Sequence, residues 1–270
     1  MTLASFRPWR RRPTPPPSTD PSRPSVSDPT RASAGAGPQA VWTTPTGAPH
    51  DFTTASREAL VEALVAAGPG HRTLCEGWQT EHLAAHIHLR ETSALAAGLA
   101  LKPWSGPLER RTRELGDAST GSRQYQQLVD RVARGTAGSE RVVTRLRAAA
   151  PVRRAAQAAN LLEFFVHTED VRRAQDRWAP RRLSDDYADV LWDELSRRAR
   201  LLYRTAPTGV RLVRTPRTGR AMEGTATVVA RPGEPQVTIT GPTGELIMHA
   251  FGRRDHALVL VDPPGSALEG

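Results

Sequence analysis

Glu163 and His167 stand four residues apart in the run Leu161-Leu162-Glu163-Phe164-Phe165-Val166-His167. On a helix, positions i and i+4 lie one above the other on the same face. A carboxylate and an imidazole so placed can grip one metal ion. A third donor from another helix would leave the rest of the coordination sphere open, as catalytic metal sites require. His86, in Leu83-Ala84-Ala85-His86-Ile87, is the leading candidate for that donor. Together these residues point to a metal-dependent enzyme built on a helix bundle.

Spacing is not enough by itself. With 28 acidic residues and eight histidines in the chain, roughly one Glu-x-x-x-His pair is expected by accident. The chain carries a second such pair, Glu245 and His249, on a short C-terminal segment where surface placement is easy. The setting separates the two. Glu163 and His167 sit among large apolar residues, where an unpartnered polar group is costly. A metal would satisfy both, and so would a buried Glu–His hydrogen bond; the residues alone leave these readings level.

Other groups compete for attention. His82 and His86 share a face and could chelate an ion between them. His82 falls in the first helical turn, however, and is expected at the surface, as is His88. Cys75 has no nearby base in sequence and nothing to lower its pKa, so it reads as a small packing residue rather than a nucleophile. Trp78 reads as packing at the bundle end. Asp170, one turn beyond His167, either orients an imidazole or pairs at the surface with Arg172 or Arg173.

The elements that must position these groups follow from periodicity. Thr53 or Thr54 is placed to cap a helix bearing Leu60, Val61, Leu64 and Val65, ended by Gly68-Pro69-Gly70. Thr80 is placed to cap a second helix reaching about Ala100, with Leu83, His86, Ile87 and Arg90 inward. Residues 102–122, with Pro103, Pro107 and several glycines, read as a loop. A third helix carries Tyr125, Leu128, Val129 and Val132, breaks near Gly135 to Gly138 and resumes to Ala150. A fourth starts at Pro151 and runs to about Gln175; a fifth starts at Ser184-Asp185-Asp186. After Pro207 the period drops to two. Strands are expected at 210–213, 225–229, 236–240 and 257–261, with a short helix over 242–251. The fold class is therefore mainly α with a small α+β part: a helix bundle over 51–205, then an α+β domain over 206–270.

Residues 1–50 hold 11 of the 23 prolines and few large aliphatics. They cannot bury enough apolar area to offset ordering entropy, and are expected to be a disordered Pro/Arg-rich tail. Translation starting near Val41 is a second expectation for this region. The net charge of +9 is carried by arginine, Lys102 being the only lysine. The arginines are interleaved with acidic residues rather than clustered with stacking aromatics, which argues against a nucleic-acid partner. No apolar run approaches the ~20 residues of a membrane span. A single cysteine precludes an internal disulfide, which suits a cytoplasmic chain.

Two segments carry a family resemblance. Leu74-Cys75-Glu76-Gly77-Trp78 followed by Leu83-Ala84-Ala85-His86, and Glu163-Phe164-Phe165-Val166-His167-Thr168-Glu169-Asp170-Val171-Arg172, resemble the two signatures of the mycothiol-dependent maleylpyruvate isomerase family. That family belongs to the DinB-like four-helix metal-binding superfamily. Thr240-Gly241-Pro242-Thr243-Gly244-Glu245-Leu246 with Phe251-Gly252-Arg253 resembles the segment that closes its smaller domain. The chain also resembles an actinobacterial metal-binding branch of that family. The resemblance runs from about Asp51 to the C-terminus, and His82 stands where the family usually carries Asp.

The resemblance implies a DinB-like four-helix bundle followed by a small α+β domain. It implies that His86, Glu163 and His167 hold a divalent metal, most often zinc, and that Arg253 binds substrate. It implies a thiol transferase or isomerase using a low-molecular-weight thiol such as mycothiol. Two imidazoles and one carboxylate would leave zinc with net positive charge and open positions, where a thiol would ionise. A metal-dependent hydrolase using activated water and a non-catalytic metal-binding regulatory module are the alternatives.

Overall fold

The computed structural model describes residues 52–92, 105–135, 150–215 and 226–262, with backbone only for 105 and 150–159. These residues fall within one compact unit, Val41–Gly270. The expected tail over 1–50, the far end of the second helix to Ala100 and the resumed helix after Gly138 lie outside the described residues.

Among the described residues six α-helices come first: α1 (Phe52–Ala67), α2 (Thr80–Thr92), α3 (Ser105–Asp117), α4 (Ser122–Arg134), α5 (Ala150–Arg173) and α6 (Asp185–Leu202). Four strands and one helix follow: β1 (Gly209–Arg214), β2 (Thr227–Arg231), β3 (Gln236–Gly241), α7 (Thr243–Ala250) and β4 (Leu260–Asp262). The sheet order is β2-β1-β3-β4, with β1 parallel to β3 and the outer pairs antiparallel. A mainly helical chain with a small mixed sheet is what the change of period at Pro207 required. No described helix is long and apolar enough to cross a membrane.

The core forms two apolar clusters, and α5 belongs to both. Phe164 and Val171 pack with Leu60, Leu64, Leu83, Ile87, Leu128 and Val132 of α1, α2 and α4. Leu161, Leu162, Phe165 and Val166 pack with α6, α7 and the sheet. Besides these two apolar sides the helix carries a narrow polar stripe. On α5 that stripe is Asn160, Glu163, His167 and Asp170, spaced 3, 4 and 3 residues apart, which keeps one face over three turns.

Several local expectations are corrected. Residues 105–117 form α3 rather than a loop. Pro107 sits in its first turn, where its missing N–H costs nothing. Leu108, Thr112 and Gly116 form its buried stripe, too sparse in large apolar residues to stand out in the sequence. At Gly116 the helix crosses the first turn of α2 so closely that a Cβ would lie 2.5 Å from the His82 ring. His82 is therefore buried, not exposed, and pairs with Asp117 at 2.9 Å. His88 is half-buried rather than a surface residue. Thr80 is itself helical and donates to the Gly68 carbonyl instead of capping. Val65, expected inward on α1, is exposed.

The second Glu–His pair is also buried rather than at the surface. Glu245 accepts two hydrogen bonds from Arg173 (2.8 and 2.7 Å) and one from the Leu258 backbone N–H. His249 meets the Tyr203 hydroxyl at 2.8 Å. Arg173 also binds Glu169 at 2.6 Å and the His256 carbonyl. This pairing locks α7 and the segment after it onto α5, and so fixes where Arg253 arrives.

Candidate metal centre

His86, Glu163 and His167 converge. Each offers one donor atom, and the three lie within 4.8 Å of one another. His86 comes from α2 and faces the α5 stripe, its ring edge-on to His167 with centroids 5.4 Å apart. Trp78 covers its other side at 5.0 Å. The Glu163 Oε2 to His167 Nε2 distance is 3.4 Å. That is about the edge of a tetrahedron with ~2.1 Å metal bonds. No hydrogen bond to another described residue engages the His86 ring nitrogens, so they are available as donors. Two imidazoles and a carboxylate are a set suited to zinc or a similar divalent ion. The residues thus fit such an ion. His82, turned to Asp117, takes no part in the group.

A second group shares His167. Cys75, His167 and Asp170 also bring donor atoms within 4.8 Å. Here the atoms are already committed to one another. His167 Nδ1 meets Asp170 Oδ2 at 2.8 Å, the Cys75 thiol donates to the same oxygen at 3.2 Å, and Arg253 donates to both Asp170 oxygens at 2.8 and 2.6 Å. Arg253 also lies 3.3 Å from the Cys75 sulfur. An ion here would have to displace a two-point guanidinium–carboxylate pair. Asp170 instead orients the imidazole, presenting Nε2 to Glu163 and His86. Of the two roles open for Asp170 in the sequence, the structure shows the orienting one, buried and not at the surface.

Sequence reasoning found no partner for Cys75 because its partners are 92 to 178 positions away. The loop carrying Cys75 is held against α5 by the Leu74 N–H donating to the Asp170 carbonyl at 3.0 Å.

The protonation states follow from these contacts. Burial and the neighbouring His167 push His86 down to about 3, so it is neutral. Burial disfavours a charged Glu163, but the His167 hydrogen bond and the Arg90 charge outweigh it and hold the carboxyl at about 2. Burial likewise opposes a charged His167, yet hydrogen bonds to Asp170, Cys75 and Glu163 raise it well above the ordinary imidazole value. At neutral pH only His167 must therefore lose a proton to accept an ion. Metal uptake should release about one proton per ion, and affinity should rise about tenfold per pH unit until His167 titrates. Calorimetric titration with zinc in buffers of different ionisation enthalpy measures this; proton-independent uptake would contradict it.

The triad opens into a cleft of about 630 Å³. Leu74, Trp78 and Phe251 give it apolar wall, while Glu109, Arg253 and Arg254 supply charge. Arg253, implied by the resemblance to bind substrate, lines this cleft with its guanidinium held by Asp170.

No protein-family model and no curated protein sequence matches the chain. Two solved structures do. They are a mycothiol-dependent maleylpyruvate isomerase and a histidine-to-alanine variant of it, each with a TM-score of 0.50 and 14% identity, covering 78% of this chain and 90% of the other. At that identity the likeness shows the fold: this chain has the architecture of the mycothiol-dependent isomerase.

Proposed function

We propose that this protein is a metal-dependent enzyme that uses a low-molecular-weight thiol, with His86, Glu163 and His167 as the metal ligands. The single observation that carries the proposal is a triad of two imidazoles and one carboxylate at the floor of an open cleft. Three protein donors leave room for a further ligand, which favours catalysis over a closed structural site. The choice of a thiol, of the mycothiol type, rests on the fold shared with a mycothiol-dependent isomerase. Membership of that isomerase family, through its metal-binding branch, is part of the same proposal, and so is zinc as the ion.

The metal would supply a positive centre that stabilises a thiolate over a thiol. The chain's residues do the rest. Asp170 keeps the His167 ring in register. Trp78 covers one side of the His86 ring. Arg253, pinned by Asp170, would meet an anionic group of the substrate as a fixed charge at the cleft edge. The bundle over 51–205 would hold the metal, and the part over 206–270 would deliver Arg253.

The test is titration of cobalt-substituted protein with a low-molecular-weight thiol. The expected result is a saturable sulfur-to-cobalt charge-transfer band. Absence of that band, with turnover of a hydrolysable substrate in the absence of thiol, would instead give the hydrolase reading. A spectrum unchanged by any added ligand would give the non-catalytic module.

A further inference from the structure

A chain of polar side chains runs from the far side of the bundle to Glu163. Arg57 of α1 binds both oxygens of Glu91 on α2, one of them at 2.6 Å, and donates to the Val132 carbonyl of α4. The Asn160 Nδ2 of α5 donates to Glu91 Oε1 at 3.1 Å. That contact fixes which way the amide points, so Asn160 Oδ1 faces Arg90 and accepts its Nη1–H at 2.7 Å. The other arm of Arg90, Nη2, lies 3.4 Å from Glu163 Oε1. Glu163 Oε2 faces His167 instead. Glu91 is buried and Arg90 nearly so, so these polar groups are held together largely away from water.

We infer that Arg90 is a positioning residue: it occupies Glu163 Oε1 and leaves Oε2 alone to face the ion, making Glu163 a one-oxygen ligand. The inference rests on the metal reading above. Arg90 lies four residues beyond His86, so one face of α2 carries both a proposed ligand and the group that sets the geometry of another. The planar guanidinium suits this task, since Nη1 is hydrogen-bonded to Asn160 while Nη2 stands in ion-pair range of Glu163. A carboxylate limited to one oxygen keeps a coordination position for an incoming ligand.

The positive charge of Arg90 by itself would repel a cation. If charge were its whole effect, removing it would tighten metal binding. If it positions Glu163, removing it lets the carboxylate swing or bind through both oxygens, and affinity falls by about tenfold, as loss of an outer partner of a ligand does.

The experiment measures cobalt affinity and the visible spectrum of the cobalt form for wild type, Arg90→Met, Arg90→Lys and Asn160→Leu. Arg90→Met should bind about tenfold more weakly, with less intense visible bands as the coordination number rises. Asn160→Leu, which removes the hydrogen bond to Arg90 and one to Glu91 but keeps the Arg57–Glu91 pair, should move both readouts the same way by less; it decides the matter if Arg90→Met does not fold. Arg90→Lys should recover only part of the loss. Equal or tighter binding by the folded variants, or full recovery by lysine, would overturn the role of Arg90 while leaving the metal site standing. A wild type that takes up no cobalt would overturn the metal reading and this one with it.

Discussion

His86→Ala, Glu163→Ala and His167→Ala should each strip the protein of its metal. Each removes one of three protein donors, so the loss should exceed the about 10–100-fold that outer hydrogen-bond partners cost. The chain supplies its own control. Glu245 and His249 have the same spacing as Glu163 and His167, but their donor atoms are spent on Arg173, the Leu258 N–H and Tyr203. His249→Gln should therefore keep full metal content. Elemental analysis of the four purified variants decides the point. Full occupancy in all three ligand variants would remove the site, and loss in the control would show that the assay reports folding rather than ligation.

Asp170→Asn should have the second-largest effect, on two quantities at once. Asp170 is fully buried and accepts from His167, Cys75 and both arms of Arg253. An amide cannot accept from all of them, and its own NH₂ would face a guanidinium. Breaking a buried charge pair costs about 3–5 kcal/mol. About 3 kcal/mol is expected here, because Arg253 keeps 20% of its side chain exposed and so some solvent screening. Metal affinity should also fall about 10–100-fold, since the imidazole loses the partner that holds its tautomer. Chemical denaturation of the metal-free protein reads the first quantity and zinc titration the second. The carboxyl of Asp170 is held well below the usual range: burial raises it, but the His167 and Arg253 hydrogen bonds prevail. Its stabilisation is thus present above the unfolded value near 3.9 and is lost only as pH falls through the depressed folded value. The wild type should keep this contribution in mild acid, while the variant lacks it at every pH.

How much of this was legible in the sequence depended on what each residue's position encodes. The stripe on α5 was legible because a 3.6-residue period places Glu163, His167 and Asp170 on one face whatever surrounds them. His86 was legible as a polar residue on an apolar stripe, though only the fold brings it to α5. Helix α3 was not legible, because its buried face is built from Leu108, Thr112 and Gly116 and its first turn contains Pro107. The burial of His82 follows from the same close crossing and could not be read without it. Glu245 and His249 were misplaced because burial on a short helix is set by what covers it, here Arg173 and Tyr203. The Cys75–Asp170–Arg253 contacts join three distant segments, and no local pattern carries them. Asn160 and Glu91 left no signal at all, since their value lies only in each other's orientation.

X-ray absorption at the zinc edge of the loaded protein tests the central claim most directly, because two overlapping donor groups share His167 and differ in one atom type. The account predicts a first shell of nitrogen and oxygen at about 2.0–2.2 Å, with scattering from two imidazoles and no sulfur until a thiol is added. A sulfur at about 2.3 Å in the thiol-free protein would place the ion on Cys75, His167 and Asp170, and would contradict the site formed by His86, Glu163 and His167.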